Sequence, residues 1–403
     1  MMKKTLIAMA ALAASSAFAQ SSVSIVGFVD VGVRTTNGDT AAAKKSELSV
    51  NGTGTTAIHF RGVEDLGGGL KALFQTEIDW NPTQSSTLNA GGSISSTQFY
   101  SGTPFNGEQF IGLSGDFGSI KLGTVNSAAL ETNAVAQPFG TALGSGYSSA
   151  VGRMGVNGYG INHFVGGPTS TNRIIRHEKT ARYITPNLSG FTGSLEYAFA
   201  NANAPTGAAG SAANSNKYVA VGLKYSNGPL NVSFANTKAT ADGTNIANGA
   251  PGQAFGATAA SFFAQGPNKL AAGESITHNY LAANYNFGAA TIYGGFTTSK
   301  NGAASALTGG SKENASSYNI AGKYAVSSQI ALMANYVRID DKNAINADSR
   351  VFGLGANYSL SNRTYAYARY ENYRKSATNT VGVVAGVPTN NQNVYMLGLA
   401  HSF

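Results

Sequence analysis

The chain has 403 residues, a formal net charge of +8, no cysteine and 11% charged residues, with 50 Gly, 19 Tyr and 20 Phe; ordinary soluble proteins carry about 25% charged residues. The absence of cysteine excludes a disulfide-framed exported domain. No apolar run of about 18 residues follows the first twenty positions, which excludes a spanning helix.

In chain order, the first element is "MMKKTLIAMAALAASSAFAQ". Lys3 and Lys4 precede an apolar run from Leu6 to Ala14 and an Ala17-Phe18-Ala19 site. This is the pattern of a secretory signal peptide over 1–19, leaving 20–403 as one domain. The segments that follow alternate at period two. "SVSIVGFVDVGV" puts Val23, Ile25, Val29, Val31 and Val33 on one side and Asp30 on the other. "KYVAVGLKY", "PLNVSFANTK" and "SYNIAGKYA" alternate in the same way. Such alternation sets one face in an apolar phase and one in water.

The segments predict strands near 22–34, 56–66, 69–79, 105–115, 118–126, 175–186, 190–200, 216–227, 229–239, 276–287, 289–299, 315–326, 328–339, 349–360, 363–374 and 393–403. Short links such as "DLGGGLK", "SNGPL" and "SLSNRT" supply the residues of tight hairpins. They alternate with long Ala, Gly, Ser, Thr and Asn tracts. The expected fold is all-β: a transmembrane 16-stranded antiparallel barrel with short turns at one end and long loops at the other. The last strand, "VYMLGLAHSF", carries Tyr395, Leu397, Leu399 and Phe403 on its lipid side and pairs with the first, because an open edge in a bilayer leaves backbone groups unsatisfied.

Strand phase places Arg61, Lys71, Lys121, Arg176, Arg182, Lys224, Lys323 and Arg369 on the wet face with Glu77, Glu178, Glu196 and Asp30, a basic excess that predicts a weak preference for anions. Aromatics near strand ends, among them Tyr197, Phe199, Tyr285, Phe287, Tyr324 and Tyr358, fit a girdle at the membrane interfaces. Tyr365 and Tyr367 are weaker candidates for sugar stacking on the wet face.

No cofactor or metal pattern appears. His59, His163, His177, His278 and His401 are scattered without ligand spacing, and no nucleophile elbow is present, so no enzyme activity is expected. The Asp340–Asp348 stretch lacks the Gly and final Glu of a calcium loop and reads as a solvated external loop. No basic cluster supports nucleic-acid binding.

"SSVSIVGFVDVGV", "HFRGVEDLGGGLKALFQTE", "FIGLSGDFGSIKLGT", "RYITPNLSGF", "YSLSNRTYAYARY" and "LGLAHSF" follow in order from Ser21 to Phe403. Together they resemble the trimeric general porins of Gram-negative bacteria, in the beta-proteobacterial branch. The resemblance implies an outer-membrane homotrimer passing ions and small hydrophilic solutes by passive diffusion. It implies a long third loop folded into the lumen, for which 127–174, with Glu131, Arg153 and Arg173, is the candidate. A terminal Phe403 is similar to the signal read by the barrel-assembly machinery, and anionic lipopolysaccharide is the expected partner of exposed basic groups. Where the family commonly has basic residues, this chain has Ala57, Gly107, Thr124, Ala400 and Ser402, and His59 replaces a Gly; these changes weaken the expected anion preference. The alternative function is a surface barrel whose long loops act as an adhesin or a host or phage receptor.

Overall fold

The computed structural model describes residues 21–38, 44–84, 86–88, 94–96, 105–140, 176–199, 217–240, 275–304, 312–342, 348–375 and 391–403. The signal-peptide segment, Arg153, Arg173 and His163 lie outside these residues, as do 343–347 of the acidic stretch.

The strands are β1 (Ser22–Gly38), β2 (Lys45–Val50), β3 (Ala57–Gly67), β4 (Leu70–Asp79), β5 (Ser86–Leu88), β6 (Ile94–Ser96), β7 (Gln109–Gly115), β8 (Gly118–Asn126), β9 (Arg176–Ile184), β10 (Phe191–Ala198), β11 (Lys217–Asn227), β12 (Leu230–Thr240), β13 (Ser275–Asn286), β14 (Ala290–Ala304), β15 (Lys312–Ala325), β16 (Ile330–Asp341), β17 (Ser349–Ser359), β18 (Thr364–Lys375) and β19 (Gln392–Ser402); one helix, α1, spans Ala128–Val135. Except for the small β5–β6 hairpin, all strands join one antiparallel sheet. β2 and β3 share a single course along β1: Ser22–Phe28 pairs with β3, and Val31–Thr36 with β2. The result is a closed barrel of sixteen strands.

The ring closes where Phe28–Gly38 of β1 pairs with Ser402–Gln392 of β19. Gly27 and Phe403 add two reciprocal backbone bonds of 3.0 Å. A closed ring leaves no strand edge in the hydrocarbon, the condition a membrane-spanning sheet must meet.

The outward face is apolar. Val23, Ile25, Ile111, Leu122, Leu195, Leu223, Ile292, Ile320, Leu354 and Leu397 are all exposed. Residues in the opposite strand phase, such as Asp30, Glu196, Ala220, Ala235 and Ala321, are buried on the inner side. Tyr197, Phe199, Tyr285, Phe287, Tyr324 and Tyr358 are exposed on the outer face. At the β3–β4 turn, Gly67, Gly68 and Gly69 all adopt positive φ (86°, 60° and 82°), which only glycine takes without strain.

Four features differ from the expected elements. β1 runs on to Gly38, and β2 lies where a loop is expected. The pattern misses β2 because residues 51–56 leave the ladder between β2 and β3 and break the alternation. The β5–β6 hairpin was not expected either, and α1 occupies part of the 127–174 gap.

Asp30 organises the 51–56 excursion. Its carboxylate is fully buried and accepts from Thr53 N–H, Thr53 Oγ, Gly54 N–H and the Tyr367 hydroxyl. Its own N–H donates to Thr56 Oγ1 at 3.1 Å, and Thr56 N–H donates to Asn51 Oδ1 at 2.9 Å. Asn51 itself has φ of 65°. Each buried donor orphaned by losing such an acceptor costs about 1–3 kcal/mol. Asp30→Ala is therefore expected to lower barrel stability by about 2–4 kcal/mol and Tyr367→Phe by about 1–2 kcal/mol, measured by urea unfolding in detergent micelles; equal effects of the two would contradict this assignment.

Candidate functional site

The site is the inner wall with the segment that lies on it. The segment begins at Ser127, whose Oγ accepts Leu130 N–H at 3.4 Å and caps α1. Glu196, inward on β10, accepts Ala128 N–H at 2.7 Å; a carboxylate at a helix N-terminus is favoured by the exposed N–H groups and the helix dipole. Arg182, directly across from Glu196 on β9, lies 3.2 Å from Glu196 and 2.8 Å from Glu131 of α1. It also donates to the Asn126 carbonyl at 2.7 Å. Arg182 and Glu196 are each 1% exposed, so desolvation makes the pair dependent on its geometry.

From there the segment contacts successive strands. Thr132 and Ser233 on β12 share a 2.7 Å hydroxyl bond. Asn284 on β13 donates to Val135 O, and Asn319 on β15 donates to Ala136 O. Phe139 is buried beside Met333 on β16 and 5.5 Å from the Arg369 guanidinium on β18. Small inward residues make room for this course. A Cβ on Gly222 would lie 2.6 Å from Ala128, one on Gly295 2.9 Å from Ala136, and one on Gly355 2.7 Å from Phe139.

A second network lies across β3, β4, β7, β8 and β9. Arg61 Nε donates to Gln75 at 2.8 Å, and Gln75 donates to Glu108 at 3.1 Å. Glu108 also pairs with Lys121 at 3.5 Å and accepts Asn126 N–H at 3.1 Å. Lys121 stands 4.2 Å from the Phe110 ring centre. Arg176 lies 3.7 Å from Glu77 and 3.5 Å from Asp79, and donates to Asn126 Oδ1 and Asn106 O. Glu77 in turn accepts Glu108 N–H at 2.8 Å.

The structure therefore brings together Glu77, Lys121 and Arg176, with Arg61 joined through Gln75, and separately Glu131 with Arg182. Arg369 stands apart, donating to Ala356 O, Ala368 O and Asn357. Lys71, Lys224 and Lys323 are exposed and joined to neither network by an ion pair among the described residues; they share the inner phase with Gln75, Gly222 and Ala321 respectively. Among the described residues, no ion pair holds Arg61, Lys71, Lys224 or Lys323. Lys224 borders a crevice beneath α1 together with Glu131, Thr132, Arg182 and Ser233.

Two expectations change. The inner wall carries more acid than strand phase alone suggests, because Asp79, Glu108 and Glu371 also face inward. Glu108 was legible: it precedes β7 in phase with Phe110 and Gly112. The second change concerns Tyr367, which is 4% exposed with its hydroxyl committed to Asp30, so its ring is part of the wall rather than a sugar-stacking surface. Glu178 sits at a bulge, where Lys179 takes φ of 53°; the bulge resets the phase of β9 and brings both His177 and Arg182 inward.

A family model described as Gram-negative porin matches residues 5–378. The chain is 28% identical over 410 residues to outer membrane porin protein 32 of Delftia acidovorans, covering all of both chains. It is also 28% identical to an outer membrane porin protein of Bordetella pertussis, over 93% of this chain and 95% of that one. Among solved structures, an anion-selective porin from Comamonas acidovorans superposes with a TM-score of 0.71 at 24% identity, over 95% of this chain and 100% of that one.

The anchoring of α1 yields a measurable expectation. Removing one member of a buried ion pair costs about 3–5 kcal/mol, because the partner is left desolvated. Glu196→Ala should destabilise the inner segment by an amount of that order and raise amide exchange across Ala128–Val135 above that of β12; unchanged exchange would show that the helix is held by its packing alone.

Proposed function

Because the chain belongs to the Gram-negative porin family, we propose that it forms a weakly anion-preferring channel in which the whole third loop, 127–174, narrows the lumen. The barrel itself is an outer-membrane porin, a passive route for ions and small hydrophilic solutes. The reading of a narrowed lumen is supported by residues 127–140, which are fastened to the inner wall.

One observation carries the anion preference: the inward charges divide by exposure. Asp30, Glu77, Glu108, Glu196 and Glu371 are buried, and the ion pairs and donors around the first four neutralise their fields. Arg61, Lys71, Lys224 and Lys323 meet water without an ionic partner among the described residues. A water-filled hole with low-dielectric walls is governed by the charges its contents can approach, and those are mainly basic. Glu131, half-exposed beside Arg182, is an acidic exception among the described residues and keeps the preference weak. The Comamonas acidovorans protein is an anion-selective porin, which agrees with this direction.

The remaining parts of the proposal follow from membership in the family. Residues 1–19 direct export and are removed, the barrels assemble as homotrimers, and Phe403 is read by the assembly machinery. Lipopolysaccharide contacts the outer surface.

Planar-bilayer recordings test the channel: ohmic steps in groups of three are expected, whereas silence would favour a receptor barrel. In a salt gradient the reversal potential should show anions preferred. Two unit charges about 4 Å apart interact by about 1 kcal/mol in water, so Arg61→Glu should lower the anion-to-cation permeability ratio several-fold at low salt and less at 1 M. A ratio unaffected by Arg61→Glu would remove Arg61 from the permeation path.

A further inference from the structure

Three arginines stand side by side on the outward face. Arg338 on β16 is directly opposite Arg350 on β17, and Arg350 is directly opposite Arg374 on β18. Adjacent strands are about 4.8 Å apart, and like charges directly across a sheet repel. Outward phase follows from the neighbours: Leu332 shares a face with Arg338, and Phe352 and Leu354 share one with Arg350, all three apolar side chains being exposed. Followed the other way, the same register row is Phe234, Leu281, Phe296 and Tyr318. Because strands of such barrels tilt by about 35–45°, one row climbs from the apolar band into the interface, and its arginine end lies near the long connections.

The carboxylates nearby are largely spoken for. Asp348 is 3.4 Å from Arg338, and Asp340 pairs with Lys342. Arg374 donates to the carbonyls of Tyr373 and Gln392. Among the described residues, no carboxylate lies within ion-pair distance of Arg350 or Arg374.

We propose that Arg338, Arg350 and Arg374 form a docking site for a phosphorylated glycolipid head group of the outer leaflet, the lipid A part of lipopolysaccharide. Charge complementarity selects the occupant. Guanidinium groups bind phosphate oxygens in bidentate fashion, and three in a row suit a head group with more than one phosphate. Phe352, Leu354 and Leu332 below them provide the apolar wall for its acyl chains. The phosphate offsets the repulsion that the bare row carries. This inference rests on the outer-membrane reading above.

The test compares purified wild type with the triple variant Arg338→Gln/Arg350→Gln/Arg374→Gln, with Arg350→Gln alone as the milder variant. Binding of bisphosphorylated lipid A, dephosphorylated lipid A and phosphatidylglycerol is measured by native mass spectrometry in detergent. A basic residue near an anionic lipid surface contributes about fivefold in affinity, so the triple variant should bind bisphosphorylated lipid A about a hundredfold more weakly, and the single variant about fivefold. Wild type should prefer the bisphosphorylated form to both other lipids. Single-channel conductance should be unchanged in both variants, which separates failure of this site from failure of the channel reading. Equal lipid A binding by wild type and variants would overturn the proposal. So would equal wild-type binding of the dephosphorylated form, or a change of oligomeric state in the variants with lipid binding retained, which would mark the row as a contact between copies.

Discussion

Backbone hydrogen bonding without a free edge is the constraint on which everything else in this molecule depends. In hydrocarbon an unpaired N–H or C=O has no water to turn to, so each strand needs two neighbours and the first must meet the last. β1 and β19 satisfy that requirement over Phe28–Gly38, and Gly27 and Phe403 extend it by a reciprocal pair. Closure in turn fixes which side of each strand is outside. The alternation of Leu, Ile, Val and aromatic residues with small or polar ones then becomes a division between a lipid surface and a wet interior.

The interior is filled by specific fastenings rather than by a general hydrophobic core. Buried charges are expensive to keep, and they are tolerated here where several donors converge on each carboxylate. Asp30 gathers the 51–56 excursion and Tyr367. Glu196, with Arg182, gathers the start of α1. The two fastenings lie at opposite ends of one course: a Cβ on Gly140, at the far end of the inner segment, would lie 3.3 Å from Thr53 O. The segment from Ser127 to Gly140 thus runs along the inner wall between two buried carboxylates, over small residues on β11, β14 and β17 that let its backbone come close.

This arrangement separates two roles that charge plays in one wall. Carboxylates are drawn into structural bonds with backbone N–H groups and guanidinium groups, so their fields are largely cancelled. Several long basic side chains extend from the wall into water, where a passing ion can approach them. The outward arginine row shows the same principle with the opposite sign of partner: Asp348 meets Arg338, but no carboxylate among the described residues lies within ion-pair distance of Arg350 or Arg374.

Period-two alternation, hairpin residues and the apolar closing strand made the barrel and its strand count readable along the chain, because each lipid-facing side chain answers to a purely local rule: one step out, one step in. The same rule put Arg61, Arg182 and Arg369 on the inner face. It could not show β2, because the 51–56 excursion is stabilised by Asp30 and by Tyr367, a residue over three hundred positions away. It could not show that Lys121 and Arg176 are paired while Lys224 and Lys323 are not, since pairing is a matter of distance between strands far apart in sequence. By itself the sequence determined a closed sheet with an oily outside and a polar inside. Only the tertiary structure decided which of the inward charges are neutralised and which meet water, because a Coulomb interaction depends on separation and burial, and neither is written in the order of residues.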